Sequence, residues 1–509
     1  MSEADRAVRF FCTAGRGLEP FLAAEVAAKL SAVDVEYGTG KVFFSANVNP
    51  EKLSQLKAAE RLFLLIKKES PMKVPWNTGK ARHFIQKKII GEDRTLWTDT
   101  ILLWHKCQNL LQSVQRCVKR KREEDPREEC ATKRVNLEPS QSLMFPVSCR
   151  NWSKTPEVEQ QDGEDELHKA CGDSNSSVNG QQMSPLFRVS CRCSGRIARM
   201  FNAQELGRMI GTAVAKHFGW KTELRDPEFE INVHLSDVYW LVGIPVFRLP
   251  LAQRSYIKTT GLRPTIAWTM AFLADIKAGS VLLDPMCGVG TILLEAAEER
   301  QDSVFIGTDI SESQLKVAHQ NVESAGLNGK INLIRGSATE IPLQPASVDA
   351  IVCDLPFGRK FKCKTDIRML LPTILKEMER VLRVGGNLVL LLSPPLSVHI
   401  QKHFGSDRMV GSGITSPVTA DSSSSVDTNT QAGSADGKLL QQEIPRRRNE
   451  VAHGEATRAH AEHTVAGGSS PSPALPLADF PSLQLNAIYR VSLGLTDGLI
   501  HRYKKVLLT

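Results

Sequence analysis

No two of the eleven cysteines form a C-x-x-C pair. The tightest spacing is Cys191 and Cys193, separated by one residue in a stretch that alternates like a strand. Structural zinc takes paired ligands at wider spacing, so no metal site is expected. No apolar run is long enough to cross a bilayer, and the opening MSEADRAVRFFCTAG lacks the apolar core of a signal peptide. These absences describe a soluble protein of a reducing compartment, with free thiols and no membrane partner.

The 509 residues are enough for more than one domain, and a hydrophobic fraction of 41% is enough for real cores. The formal net charge of +8 is compatible with a nucleic-acid partner, although charge alone does not separate nucleic-acid binders from other basic proteins.

The first folded stretch, AVRFFCTAGRGLEPFLAAEVAAKL, predicts a strand over Val8 to Thr13 and a helix from about Leu18 to Leu30. VDVEYGTGKVFFSA alternates as a hairpin, and Glu51 to Ile66 reads as a second helix. KARHFIQKKIIG and LWTDTILLWHKCQNLLQSV both have helical period. Residues 1–115 are therefore expected to form a small α+β domain and the start of a second one. The tetrad Lys119-Arg120-Lys121-Arg122 lies in a polar, aliphatic-poor stretch, 116–184, expected to be a disordered insertion. The tetrad reads equally as a nuclear-import signal and as a solvated charge run. Order resumes over 185–250, with a strand in LFRVSCRCSGR, a helix in NAQELGRMIGTAVAKHFG and two strands around Ser236-Asp237. A second polar insertion is expected over 405–478. Residues 479–509 then supply two strands meeting at Asp497-Gly498, a hairpin signal.

Residues 251–404 carry the chemistry. SVLLD, SVFIGTD, INLIR, VDAIVC and NLVLLLS are apolar strands separated by helical segments. Ser311 and Gln314 form a capping box, and Pro372 bends the last of the helices. Such alternation means a parallel sheet with right-handed crossovers and a ligand at the carboxyl ends of its strands. Asp284, Gly288, Gly290, Asp309, Ser337 and Asp354 all fall there. A dinucleotide fingerprint would need a third glycine where Leu293 stands, which argues against a dehydrogenase. Asp309, about 20 residues past the glycine turn, is placed to grip ribose hydroxyls. Asp284 would repel a pyrophosphate but suits the cationic end of S-adenosylmethionine.

DLPF, Asp354 to Phe357, ends the fourth strand beside that donor. The Asp354 carboxylate and the Leu355 carbonyl, braced by Pro356, offer two acceptors to an exocyclic amine. Phe357 offers a stacking face worth about 1–3 kcal/mol on a base. Proximity and in-line orientation supply the rest, without metal or covalent nucleophile.

DPMCGVGT (284–291) together with DLPFG (354–358) resembles the THUMP-domain RNA guanine-N2 methyltransferases. RDPEFEINVHL, Arg225 to Leu235, resembles the signature strand of a THUMP module, and GLRPTIAWTM, Gly261 to Met270, the lead-in helix over the methyl donor. The resemblance implies an α/β architecture: a Rossmann-like class I methyltransferase domain, its parallel sheet ending in an antiparallel hairpin, preceded by α+β ferredoxin-like and THUMP domains. It implies S-adenosyl-L-methionine lined by Asp284, Pro285, Gly288, Gly290, Thr291, Asp309, Ile310, Ser337 and Ala338. Ser337 stands where many relatives carry an acid that meets the adenine amine. It further implies a structured RNA with an accessible 3′ end, transfer RNA or small nuclear RNA, and a small zinc-binding activator subunit in a heterodimer. The expected location is the nucleus, with the cytoplasm as a second site. Arg192 and Arg196 are candidate phosphate contacts. The rival readings are N6-adenine or glutamine-amide methylation, and an inactive RNA-binding adaptor.

Overall fold

Some strands in this protein are apolar runs without helical period, because a strand covered on both faces has no polar side to show, and others alternate between a buried and an open face. The computed structural model describes residues 7–38, 40–71, 73–91, 93–124, 185–356, 367–404, 475–477 and 480–508. They divide into two compact units, Met1–Ser255 and Tyr256–Thr509.

The first unit begins β1 (Val8–Thr13), α1 (Glu19–Leu30), β2 (Val33–Gly38), β3 (Lys41–Ala46), α2 (Pro50–Ser54) and β4 (Arg61–Glu69). Its four strands pair antiparallel in the order β2-β3-β1-β4, the arrangement of a ferredoxin-like split βαβ. The continuation is α3 (Thr78–Ile90), α4 (Thr95–Glu124), β5 (Leu186–Cys193), α5 (Gly195–Met200), α6 (Ala203–Phe218), β6 (Lys221–Thr222), β7 (Phe229–Leu235) and β8 (Trp240–Pro245). Antiparallel pairing of β4 with β8 fuses both groups into one eight-stranded sheet. Ile85 and Ile89 of α3 and Trp97 of α4 share a core with Phe187, Ile210, Trp220 and Phe229.

Two expectations change here. Glu51 to Ile66 is not one helix: Asn49 caps a single turn, Pro50–Ser54, and Leu62 to Ile66 enter the middle of the sheet as β4. Leu53, Leu56 and Ala59 carry helical spacing up to the strand, and that period hid the boundary. Residues 116–124, expected in the polar insertion, continue α4, so the basic tetrad lies on helical backbone. The rest of the insertion, 125–184, lies outside the described residues.

The second unit is α7 (Pro264–Leu273), β9 (Val281–Asp284), α8 (Thr291–Glu299), β10 (Val304–Asp309), α9 (Glu312–Ser324), β11 (Ile331–Arg335), β12 (Val348–Asp354), α10 (Ile367–Val381), β13 (Leu382–Leu392), α11 (Pro394–Phe404), β14 (Leu475–Leu477), β15 (Phe480–Ser492) and β16 (Asp497–Lys505). The sheet order is β11-β10-β9-β12-β13-β16-β15-β14. The first five strands are parallel, and β16, β15 and β14 run antiparallel to their neighbours. Strand order reverses between β9 and β12, which opens a ligand crevice at their carboxyl ends. The hairpin turns three residues earlier than Asp497-Gly498 suggests. Leu493 N donates to Thr496 O at 2.8 Å, Gly494 takes φ 101°, and Asp497 already pairs with Ser492. Leu475–Leu477 pairs with β15, so the second insertion does not reach 478 as a single polar block.

Gly307 lets α8 lie close against the sheet: a Cβ there would stand 2.7 Å from Leu293 Cδ1 and 3.0 Å from Cys287 Sγ. Gly307→Val is expected to overpack this contact and cost about 1–3 kcal/mol, read as a lower thermal unfolding midpoint. An unchanged midpoint would show that α8 yields without strain.

Candidate active site

Four strand ends make the site. β9 ends at Asp284, β10 at Asp309 and β12 at Asp354, while β11 ends at Arg335 just before Ser337. In register, Asp284 lies beside Gly307 and Asp309 beside Arg335, so the carboxylates share one edge of the parallel sheet.

Asp284 is only 1% exposed, and its Oδ1 accepts from Met286 N at 3.2 Å. Burial holds its carboxyl well above the usual carboxylate range. The negative charges of Asp354 and Asp309 add to that rise, and the Met286 hydrogen bond opposes it. The turn that follows is locked from β10: Cys287 N donates to Thr308 O at 2.9 Å, and Thr308 Oγ1 donates to Pro285 O at 3.0 Å. Gly288 and Gly290 take φ 54° and 80°, a left-handed backbone that few side chains tolerate. Gly290 is the N-cap of α8, leading directly into buried Thr291.

Asp309 organises backbone with both oxygens. Oδ2 accepts from Gly288 N at 2.9 Å and Oδ1 from Ser311 N at 2.8 Å. Each oxygen retains acceptor capacity for a hydroxyl group. Ile310 is 72% exposed, an apolar side chain left in solvent beside an acid. Gly336 N donates to Asp309 O at 3.2 Å, which brings the segment after β11 to the same place. There Ser337 Oγ lies 2.7 Å from Thr339 Oγ1 and accepts from Thr339 N at 3.2 Å, while Ala338 is buried. Asp354 and Pro356 are half-buried around a fully buried Leu355, whose N donates to Leu391 O at 3.2 Å. Phe357, expected to stack on a base, lies outside the described residues, as does Gly358.

The thiols nearby are not nucleophiles. Burial, then the charges of Asp284 and its neighbours, pushes both Cys287 and Cys353 above the ordinary thiol range, so neither is a thiolate at neutral pH.

Sequence reasoning missed Asn321. It is fully buried on α9, and its amide is saturated: Nδ2 donates to Val289 O at 2.9 Å and Thr259 O at 2.8 Å. Its Oδ1 accepts from Lys258 N at 3.1 Å and Thr259 N at 3.0 Å. Asn321 therefore ties the segment before α7 to the glycine turn, and Gly261 N adds a 3.1 Å bond to Thr291 Oγ1. The signal was available, because Asn321 interrupts the apolar stripe Leu315, Ala318 and Val322.

Residues 252–399 match the family model for an RMKL-like methyltransferase domain. The U6 snRNA (guanine-N(2))-methyltransferase THUMPD2 of Bos taurus is 43% identical, over 98% of this chain and 96% of that protein. The chain belongs to the THUMP-domain RNA guanine-N2 methyltransferases. Another member, the tRNA (guanine(6)-N(2))-methyltransferase THUMP3 of Bos taurus, is 26% identical over 75% of this chain and 80% of its own length. Among solved structures, TrmN from Thermus thermophilus shares the fold at a TM-score of 0.57, with 16% identity, covering 98% of this chain and all of that one. The second unit is thus a class I methyltransferase fold within this family, and the dehydrogenase reading falls away.

Proposed function

We propose that this protein transfers a methyl group from S-adenosylmethionine to the N2 amine of a guanosine in U6 small nuclear RNA. The observation that carries the reading is Asp354 at the carboxyl end of β12, one strand from the buried acid Asp284. The near full-length likeness to a U6 snRNA methyltransferase supports the choice of RNA over transfer RNA, whose methyltransferase relative is more distant.

The site's residues fit the donor. The glycine turn at 288–290 admits close approach, and a Cβ on Gly288 would meet nothing nearer than Gln314 Oε1 at 3.8 Å. Asp309 offers acceptors for ribose hydroxyls, and exposed Ile310 offers an apolar face for adenine. Ser337 and Ala338 border the adenine, while Pro285 and Thr291 shape the turn. The acidic cluster meets a cation, and Asp284 gives its carboxylate form to the positively charged end. When bound, S-adenosylmethionine supplies an electrophilic methyl group on a sulfonium.

Asp354 and the Leu355 carbonyl accept the two hydrogens of the guanine amine, which raises lone-pair density on nitrogen and aims it. Asp354 would accept the proton released as the new C–N bond forms and the methyl–sulfur bond of the donor breaks, the donor leaving as a neutral thioether. Phe357 is the proposed stacking face. The reading includes a nuclear location and a small zinc-binding activator subunit, the latter carried by family resemblance.

The test is to incubate the protein, alone and with a co-expressed activator, with labelled S-adenosylmethionine and total cellular RNA. Label is expected in N2-methylguanosine of the U6 size class. Label in transfer RNA would reassign the substrate, label in N6-methyladenosine would replace the chemistry, and donor binding without any label would favour the adaptor.

A further inference from the structure

The face of the first sheet formed by β5 and β7 is read in pairs: Arg188 beside Glu230, Ser190 beside Asn232, and Arg192 beside His234. The first pair is neutral, with Arg188 Nη2 2.9 Å from Glu230 Oε2. The third is not, because both of its members are basic. Lys41, at the start of β3, joins them. Its Nζ lies 5.2 Å from the centroid of the Tyr239 ring, and the same ring meets His234 edge-on at 5.6 Å.

Lys41 is only 8% exposed. Among the described residues, no carboxylate or hydrogen-bond acceptor meets its ammonium, nor the side chains of Arg192 and His234. Glu19, whose charge reaches Tyr239, is already bound by the N–H groups of Gly17 at 2.6 Å and Gly40 at 2.8 Å. Burial pulls Lys41 down to about 8, with the Arg192 charge adding to it. Burial also pulls His234 down to about 4, with Lys41 and Arg192 contributing. A buried cation without a counter-charge costs free energy, and an arriving anion would recover it. The other candidate base is committed elsewhere: Arg196 donates its N–H to Asp237 and its Nη2 to Val74 O at 3.3 Å, and its guanidinium stacks 3.9 Å over Trp76.

We propose that Lys41 and His234, both against the Tyr239 ring, with Arg192 beside His234 in the sheet, form a seat for a backbone phosphate of the RNA substrate. The assignment of the ligand rests on the methyltransferase reading above. Every residue proposed for the transfer site lies outside Met1–Ser255, and a backbone phosphate is the anion that an RNA substrate repeats along its length. Arg192 is exposed and suited to meet the phosphate first, while Lys41 and His234 close from below.

The test uses the full chain. Lys41→Met, which keeps the side-chain length and removes the charge, is expected to raise the thermal midpoint of the RNA-free protein. Lys41→Met with Arg192→Gln is expected to bind transcribed U6 RNA about 10-fold or more weakly, and to reduce the slope of log affinity against log salt by about 1–2. Donor affinity should be unchanged. As an independent readout, the pKa of His234, followed by NMR, should rise when inorganic pyrophosphate is added to wild type and not to the double variant. An unchanged salt slope, or a His234 titration blind to pyrophosphate, would overturn the seat. If pyrophosphate moves His234 but wild type neither binds nor methylates any RNA, the seat stands as an anion site and the RNA assignment falls with the proposed function.

Discussion

Asp354→Ala is expected to lower methyl transfer by about 1,000-fold while changing donor affinity by no more than about 3-fold, within the 10²–10⁴ range for a positioned proton acceptor. The expectation follows from where the residue stands. Asp354 closes β12 opposite Leu391, and the next peptide is pinned by Leu355 N to Leu391 O at 3.2 Å, so the carboxylate rides on rigid strand rather than loop. Truncation removes the acceptor without loosening its support. The residues proposed to line the donor follow β9, β10 and β11 rather than β12. Charge couples the two with opposite signs: Asp354 helps to raise the Asp284 carboxyl, so its loss eases ionisation of Asp284 while removing one negative charge near the cation, and the two effects offset. Asp354→Asn keeps one acceptor oxygen and adds an N–H group, and it should fall between wild type and alanine. Equal loss of transfer and donor affinity in Asp354→Ala would contradict this division of roles. Wild-type activity in Asp354→Asn would point to an amide acceptor and revive the N6-adenine alternative.

Much of this site was legible because parallel strands bury both faces. SVLLD, SVFIGTD and VDAIVC read as apolar runs closed by Asp284, Asp309 and Asp354, and each strand ends at that acid in the structure. Half of the capping box was equally local: Ser311 Oγ accepts from Gln314 N at 3.4 Å, while Ser311 N donates to Asp309 Oδ1 instead of to the Gln314 side chain. What depends on distant parts of the chain was not legible. β4 is a strand because β1 and β8 flank it, and nothing between Glu51 and Ile66 announces those partners. The pairing of β4 with β8 joins residues roughly 170 to 180 positions apart in chain order and makes one sheet of two expected domains. Asn321 was passed over because a polar residue in an apolar stripe declares only that it needs partners, not that they lie at Val289 and Thr259. The cationic group around Tyr239 was half seen: Arg192 was a candidate, but Lys41 is far away in sequence and only the sheet brings it there.

Asp284→Asn carries a prediction with opposite signs for stability and binding. Asparagine keeps the oxygen that accepts from Met286 N and removes the charge. In the wild type the folded carboxyl is raised above its unfolded value, chiefly by burial. Between those two values the folded state holds a proton that the unfolded state has lost. The associated stability is therefore complete below the unfolded pKa and is lost as pH rises through the folded one. Asparagine has no such loss, so near pH 8 the donor-free variant should unfold about 2–5 °C higher than wild type, with the difference shrinking as pH falls. Donor binding should move the other way, weakening by about 100-fold or more, the scale for removing one partner of a buried charge pair. A cation arriving beside Asp284 favours the ionised form, so wild type should release a proton on binding at pH values below the raised folded-state value. Calorimetry in buffers of different ionisation enthalpy reads that proton directly, and the asparagine variant should release less. A lower unfolding temperature would make Asp284 an anchor of the turn, whereas wild-type donor affinity in Asp284→Asn would remove it as the counter-charge. Higher stability with lost affinity is the signature of a carboxylate that the fold tolerates for the sake of its ligand.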